Sequence, residues 1–416
     1  MQPRLSRSQL AAVVAGNALE FYDFLIYGFF AVQIGQTFFP AQNSTTSLLL
    51  ALMTFAAGFL TRPLGGFVIG PLGDRIGRKP AMMLSFGLMG FSIVGLALTP
   101  SYASIGLAAP LLAVIFRLLQ GFALGGEVGP TTTLLLEAAP AQKRGLYASL
   151  QFATQWAASL CYGIVGAVLA KLMTPADLTQ WGWRIAMLLG SSVVPLALAI
   201  RRSLPETLAP QQARQKWQRP STAQIGLVLR TLLMIASATI ATYALLGINL
   251  FATHTLGLSP AQASGGVIIG GVVGVIFNPI GGWLSDRLGR KPLMIGAHGL
   301  LCLVGLPCFM AIAQLRTPGV LYAAVALMSA LLALGLPSIL TQVAEGLPAE
   351  MRSGAIGIIY AVAVSLFGGT ASLIVTWLTS VTGSPLAPAW YMCGALALGV
   401  LSMLTLRETA PVKTGG

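Results

Sequence analysis

Long apolar runs follow one another along this chain, with only short polar intervals between them. A helix needs about 20 mostly apolar residues to cross a bilayer. Twelve runs meet that length, at roughly 14–38, 46–70, 80–99, 105–129, 145–170, 185–201, 231–253, 263–284, 292–314, 319–344, 354–379 and 386–406. The longest polar interval, RSLPETLAPQQARQKWQRPST at 202–222, divides them six and six. The pattern predicts an all-α integral membrane protein of 12 transmembrane helices in two pseudo-symmetric six-helix bundles. The bundles would be residues 1–201 and 223–416, joined by a linker at 202–222.

The halves also repeat in sequence. Gly70, Asp74, Arg75, Gly77, Arg78, Lys79 and Pro80 match Gly282, Asp286, Arg287, Gly289, Arg290, Lys291 and Pro292 at an offset of 212. Glu137, Pro140 and Arg144 match Glu345, Pro348 and Arg352 at an offset of 208. Two six-span repeats point to a transporter whose site lies between them near mid-membrane. Gly58, Arg62, Gly66, Gly70 and Asp74 are four apart and share one face of span 2. Gly270, Gly274, Asn278, Gly282 and Asp286 do the same on span 8. Rows of glycine let helices approach closely in lipid. The Asp-Arg-x-Gly-Arg-Lys ends read as short turns in which Gly77 and Gly289 take positive φ. Asp74, Arg75, Arg78, Arg144, Asp286, Arg287, Arg290 and Arg352 are therefore the expected gate at that end. Asp74 is placed to accept hydrogen bonds from the N-terminus of span 11, where the helix dipole favours an anion. Arg62 has no charged counterpart, whether it is aligned with Gly274 or with Asn278.

Composition agrees with the span count. The chain is 56% hydrophobic and 8% charged, against about 25% charged in soluble domains. The net charge of +13 would suggest a nucleic-acid partner in a soluble protein. Here position explains it, because 19 of the 24 Lys and Arg fall on one side of the predicted membrane. The bias predicts a multi-pass protein of the cell (inner) membrane with both termini cytoplasmic, and with lipid rather than nucleic acid around it. Arg4 and Arg7 precede an apolar run that continues to Phe38, too long and too charged for a cleaved signal; it reads as span 1. Cys161, Cys302, Cys308 and Cys393 all lie in apolar stretches without a CxxC pair, so they suggest neither metal nor disulfide. No HExxH, GxxxxGK[ST] or GxSxG motif is present, and no cofactor is expected.

A charge at mid-membrane costs about 2.5–3.5 kcal/mol on insertion scales, so each needs a partner or a wet cavity. Five candidates lie within the spans: Glu20, Asp23, Arg62, Arg117 and Glu127. Arg62 and Arg117 can bind carboxylates bidentately but cannot carry protons. Asp23, Glu20 or Glu127 can take a proton; alternatively, one of the acids only neutralises an arginine. Tyr22, Tyr27, Gln151, Gln155, Asn249, Asn278 and Tyr360 are uncharged candidates for the same cavity, each also readable as an ordinary interhelical polar contact. His254, at the outer end of span 7, is a further titratable group.

The loop from Gly70 to Lys79 and RLLQGFALGG (Arg117 to Gly126) resemble signatures of the major facilitator superfamily. GNALEFYDFLIYG (Gly16 to Gly28), GGE (Gly125 to Glu127), APAQKRGLYASLQ (Ala139 to Gln151), WGWRI (Trp181 to Ile185) and SLPET (Ser203 to Thr207) narrow the resemblance to its metabolite:proton symporters, nearest to those for citrate and tricarballylate. The resemblance implies a monomeric proton-coupled symporter importing a small organic acid, a di- or tricarboxylate. It departs at INLFATHTLGLSP (Ile248 to Pro260), where those relatives tend to carry a Tyr and a Thr-Pro-Thr-like run. The alternatives are a proton antiporter exporting a drug or metabolite, and a symporter of a zwitterionic osmolyte. An enzyme would need a reactive constellation, which two distant histidines and scattered cysteines do not supply.

Overall fold

The structure is a computed structural model that describes residues 17–18, 21–76, 78–125, 139–191, 222–346, 359–360 and 362–414. Helix occurs in each of the twelve predicted spans. Among the described residues, eight helices are long and apolar enough to cross a membrane, and Met83–Leu98 and Ala108–Leu124 are shorter apolar helices. Large apolar side chains such as Phe67, Phe91, Leu303 and Trp390 stay exposed on the outer surface. A water-facing surface would not carry so many, whereas hydrocarbon accepts them.

Span 2 is two helices, Ser44–Leu60 and Arg62–Ile76. Asn43 caps the first, its side chain accepting from the Thr45 N–H at 2.8 Å. The break falls at Thr61, two residues before Pro63, which has no N–H to continue the ladder. The Thr61 hydroxyl donates to the carbonyl of Leu118 on span 4 at 2.8 Å. Span 8, Pro260–Leu288, opens with a reciprocal Ser259–Gln262 capping box and ends at Gly289, whose φ of 106° is the positive value expected of it. Span 9, Arg290–Leu315, starts on the next residue. Span 7 starts at Thr222, well before residue 231. Hydropathy locates the apolar length, not the polar first turns of the same helix. Its far end is interrupted at Gly247 and continues as a π-helical turn, Phe251–Thr255.

Small residues decide which helices touch. Spans 5 and 8 lie against each other along their length: Trp156 packs on Gly270 and Gly274, Leu160 on Gly271, and Gly145 on Gly282. Spans 2 and 11 meet where Phe59 packs on Gly369. Both pairs join a helix of the first six spans to one of the last six, so the two halves meet along glycine faces.

Candidate functional site: two arginines on one phenylalanine

The site is built by backbone contact between spans 2 and 4. A Cβ on Gly121 would overlap the carbonyl of Gly58, one on Gly125 that of Arg62, and one on Gly65 that of Phe122. RLLQGFALGG therefore sets how closely Arg117 approaches span 2. Span 1 covers both arginines with aromatic rings. The Arg62 guanidinium carbon lies 4.3 Å from the ring centroids of Phe24 and Phe59. That of Arg117 lies 4.3 Å from Phe24, 4.5 Å from Tyr27 and 5.0 Å from Phe55. Each desolvated cation–π contact stabilises by about 0.5–2 kcal/mol. Arg117 is fully buried and Arg62 is 6% exposed. Rings from spans 1 and 2 thus face both cations.

Asp23 does not pair with Arg117. Its carboxylate faces Gly190 on span 6, where a Cβ would overlap Oδ1, and that oxygen has no hydrogen-bond partner among the described residues. The two are linked indirectly: Arg117 Nη1 donates to Gln120 Oε1, and Gln120 Nε2 donates to the backbone carbonyl of Asp23 at 3.2 Å. Arg117 Nε and Nη2 have no hydrogen-bond partner among the described residues. Glu20 and Glu127 lie outside the described residues.

The uncharged candidates separate. Gln155 Nε2 donates to the Tyr360 hydroxyl at 3.4 Å across the halves, beside a cavity of about 30 Å³ also lined by Thr239, Thr242 and Tyr243. That space suits a water or two, not an organic acid. Gln151 donates to Asn17, which donates to Thr154 at 2.5 Å, tying span 5 to span 1. Tyr27 carries Arg117, but the Tyr22 hydroxyl donates to the Ala186 carbonyl of span 6. Asn278 was expected in the cavity; it is fully buried and its side chain donates to Gly274 of its own helix at 2.7 Å. Asn249 donates to the Phe29 carbonyl at 2.9 Å, at the end away from the basic loops. There it lines a cavity of about 540 Å³ with His254, Gln33 and Ser264.

At the basic end a charged network joins the halves. Asp286 accepts from the N–H groups of Gly145 and Leu146, at the start of span 5, at 2.9 and 3.0 Å. Arg290, fully buried, donates to Asp286 at 2.6 Å and to Glu345 at 3.2 Å, and Arg144 lies 3.7 Å from Glu345. Arg287, expected in this network, is instead exposed and stacks over Trp283 of its own helix at 4.2 Å. It is one residue beyond Asp286, which turns it about 100° away from span 5. The side chains of Asp74, Arg75 and Arg78, and all of Arg352, lie outside the described set. After span 12, Glu408 accepts from the N–H groups of Arg290 and Lys291 at 3.0 and 2.9 Å, capping span 9. Burial raises the Glu408 carboxyl, but those two donors and the N–H groups of Ala410 and Thr409 outweigh it and hold it below the ordinary range.

Of the rings around the arginines only Tyr27 is among the expected residues; Phe24, Phe55 and Phe59 are not. Phe55, Phe59 and Arg62 lie four and three apart on one helix face, a spacing that was available as a signal. Glu408 and the buried His298, whose Nδ1 meets the Met294 carbonyl on its own helix at 3.1 Å, offered none. Among the described residues no cluster of His, Cys, Asp and Glu is suited to a metal.

Comparison with known proteins fits this architecture. The sequence profile of the Major Facilitator Superfamily matches residues 13–358 and 231–415. The chain belongs to the Major Facilitator Superfamily. It is 33% identical to the citrate-proton symporter of Salmonella typhi, over 95% of this chain and 93% of that one. It is 34% identical to the alpha-ketoglutarate permease of Escherichia coli (strain K12), over 97% and 95%. It is 30% identical to the proline/betaine transporter of the same strain, over 98% and 85%. A crystal structure of a D-xylose-proton symporter superimposes with a TM-score of 0.80 at 20% identity, covering 97% of this chain and 98% of the other, and shares its fold. The chain is thus a multi-pass transporter of this superfamily and not an enzyme.

Proposed function

We propose that this protein is a proton-coupled symporter that imports a small di- or tricarboxylate across the cell inner membrane by alternating access. Arg62 and Arg117 hold the carboxylates. Asp23 takes the coupled proton, with Glu20 and Glu127 as the other acids on the path. The six-span halves, 1–201 and 223–416, rock about this site as one monomer. The Asp286–Arg290–Glu345 network latches the basic end, which faces the cytoplasm together with both termini.

The observation that carries the reading is the pair of cations on one ring. Two buried guanidinium groups share Phe24, and the nearest described carboxylate on span 1 faces the other way. An anion with more than one carboxylate suits such a pair of cations, through charge-assisted, bidentate hydrogen bonds. The names of the citrate and alpha-ketoglutarate relatives agree. A betaine would need aromatic faces for its ammonium group, and here those faces already carry guanidinium groups.

The test uses purified protein in proteoliposomes with a pH-sensitive dye inside. Citrate, tricarballylate, a monocarboxylate and betaine are added outside in turn. Acidification of the lumen by the polycarboxylates, lost in Asp23→Asn and in Arg117→Ala, is the expected result. Acidification by betaine alone overturns the role given to the arginines. Efflux of preloaded substrate on outside acidification, without inward uptake, replaces symport with export.

A further inference from the structure

Span 6 meets span 1 through small residues on one face of its described part, Trp183–Ser191. The Tyr22 hydroxyl donates to the Ala186 carbonyl at 3.1 Å. Gly190 follows four residues later on the same face. A Cβ on Gly190 would overlap Asp23 Oδ1 and press on the Tyr22 ring at 2.7 Å. This differs from the glycines between spans 2 and 4. There a Cβ on Gly121 or Gly125 would meet a main-chain carbonyl, so those glycines set how closely two helices approach. At Gly190 the excluded atom would meet the end of a side chain, which swings aside before a helix moves. Asp23 is 2% exposed. Its titratable and charged neighbours among the described residues are few. Tyr22 is on its own helix, and Tyr162 of span 5 lies behind that ring at 6.4 Å. Arg117 of span 4 reaches only the Asp23 backbone carbonyl, through Gln120. The buried residues of span 6, Trp183, Ala186, Met187 and Gly190, carry no charge, and Arg184 turns away to the carbonyls of Ala97 and Thr99.

We propose that Gly190 is a positioning residue for proton coupling: its missing side chain is the seat of the Asp23 carboxyl group and fixes where the proton is held. The proposal rests on the reading that Asp23 takes the coupled proton. A methyl group at position 190 displaces the carboxyl group from that seat. The displaced group meets different dipoles and a different degree of solvation, and both set the pH at which a carboxyl group gains or loses its proton. The arginines lie against spans 1, 2 and 4, so binding of the anion itself does not depend on the seat.

The experiment measures citrate uptake into proteoliposomes as a function of outside pH, for the full chain as wild type, Gly190→Ala and Gly274→Ala. The ionisation of citrate is common to all three. Gly190→Ala should move the midpoint of the pH profile by about half a unit or more relative to wild type. Its half-saturating citrate concentration, read by ligand-induced thermal stabilisation, should stay within about threefold of wild type, because the anion site is untouched. Gly274→Ala, whose Cβ would overlap Trp156 rather than a carboxylate, should keep the wild-type midpoint. An unmoved midpoint in Gly190→Ala, or the same shift in Gly274→Ala, overturns the proposal. If Gly190→Ala does not fold, the double variant with Asp23→Ala decides. Recovery of the fold places the clash on the carboxyl group, and continued failure places it on Tyr22 and overturns the proposal. If Asp23→Asn keeps proton-driven uptake, the reading of Asp23 fails and the seat falls with it. If Asp23→Asn abolishes uptake while Gly190→Ala keeps its midpoint, the seat alone is removed.

Discussion

Four residues after Gly58 on span 2 stands Arg62; four residues after Gly270 on span 8 stands Gly274. The two helices carry glycine rows on the same fourfold spacing and the same charged ending, yet they meet different neighbours. Arg62 packs on Phe24 and Phe59 within the first bundle. Gly274 lies under Trp156 of span 5, in a space where a Cβ would overlap the indole. A long side chain at Gly274 would push spans 5 and 8 apart. The repeat therefore keeps glycine where the halves touch and places a cation where the first bundle encloses aromatic rings. Backbone template and chemistry diverged at two positions of this face, Arg62 against Gly274 and Gly66 against Asn278.

Experiments on the two helices can break this comparison. The largest expected effect is on the shared ending. Asp286→Ala removes the acceptor of two span-5 N–H groups and leaves Arg290 buried without one of its two carboxylate partners. Breaking a buried pair costs about 3–5 kcal/mol. Thermal unfolding in detergent should register that loss, and spin labels on spans 5 and 8 should move apart at the basic end; unchanged stability would mean that the network is not a latch. Next is the charge asymmetry. Arg117→Ala or Arg62→Ala should lower citrate-driven acidification by about 10- to 100-fold, since a charge-assisted hydrogen bond contributes about 1.5–3 kcal/mol. Asn278→Ala, on the equivalent face of span 8, should change it less than about threefold. Equal losses on both helices would erase the distinction.

Gly274→Ala should destabilise by about 1–3 kcal/mol through overpacking against Trp156. Combining it with Trp156→Ala should recover part of that loss in a double-mutant cycle, and strict additivity would show that the two do not meet. The smallest effect is at Glu408, which caps span 9. Glu408→Gln should cost about 1 kcal/mol at neutral pH, typical of a lost N-cap. Because the folded carboxyl titrates below its unfolded value of about 4.3, its contribution is complete above that pH and is lost as pH falls through the folded value. The stability gap between wild type and Glu408→Gln should therefore close on acidification below about pH 4; a gap that persists there would assign the cap no charge-dependent role.

Spans, repeat and gate were legible to different degrees. Hydropathy and the offset of 212 located the helices because the bilayer imposes a length on any crossing segment. The charged network between the halves was legible in part. Asp286 and Arg290 lie in it, whereas Arg287, next in sequence, faces outward over Trp283. A basic cluster shows where charge gathers; the 100° step of the helix decides which member turns inward. Glu408 as the cap of span 9 was not legible, since the two N–H groups it caps lie more than a hundred residues away.

The sequence by itself determined that the chain crosses the membrane repeatedly, that its halves are related, and that Asp23, Arg62 and Arg117 are buried charges needing a reason. Length, periodicity and the cost of charge in hydrocarbon are local properties, readable one segment at a time. Only the tertiary structure decided that the two arginines converge on Phe24 while Asp23 turns toward Gly190. That arrangement depends on how closely spans 2 and 4 approach through Gly58, Gly121 and Gly125, and on which face of span 1 meets them. Contacts between helices far apart in sequence have no local signature, so the identity of the neighbours had to come from packing.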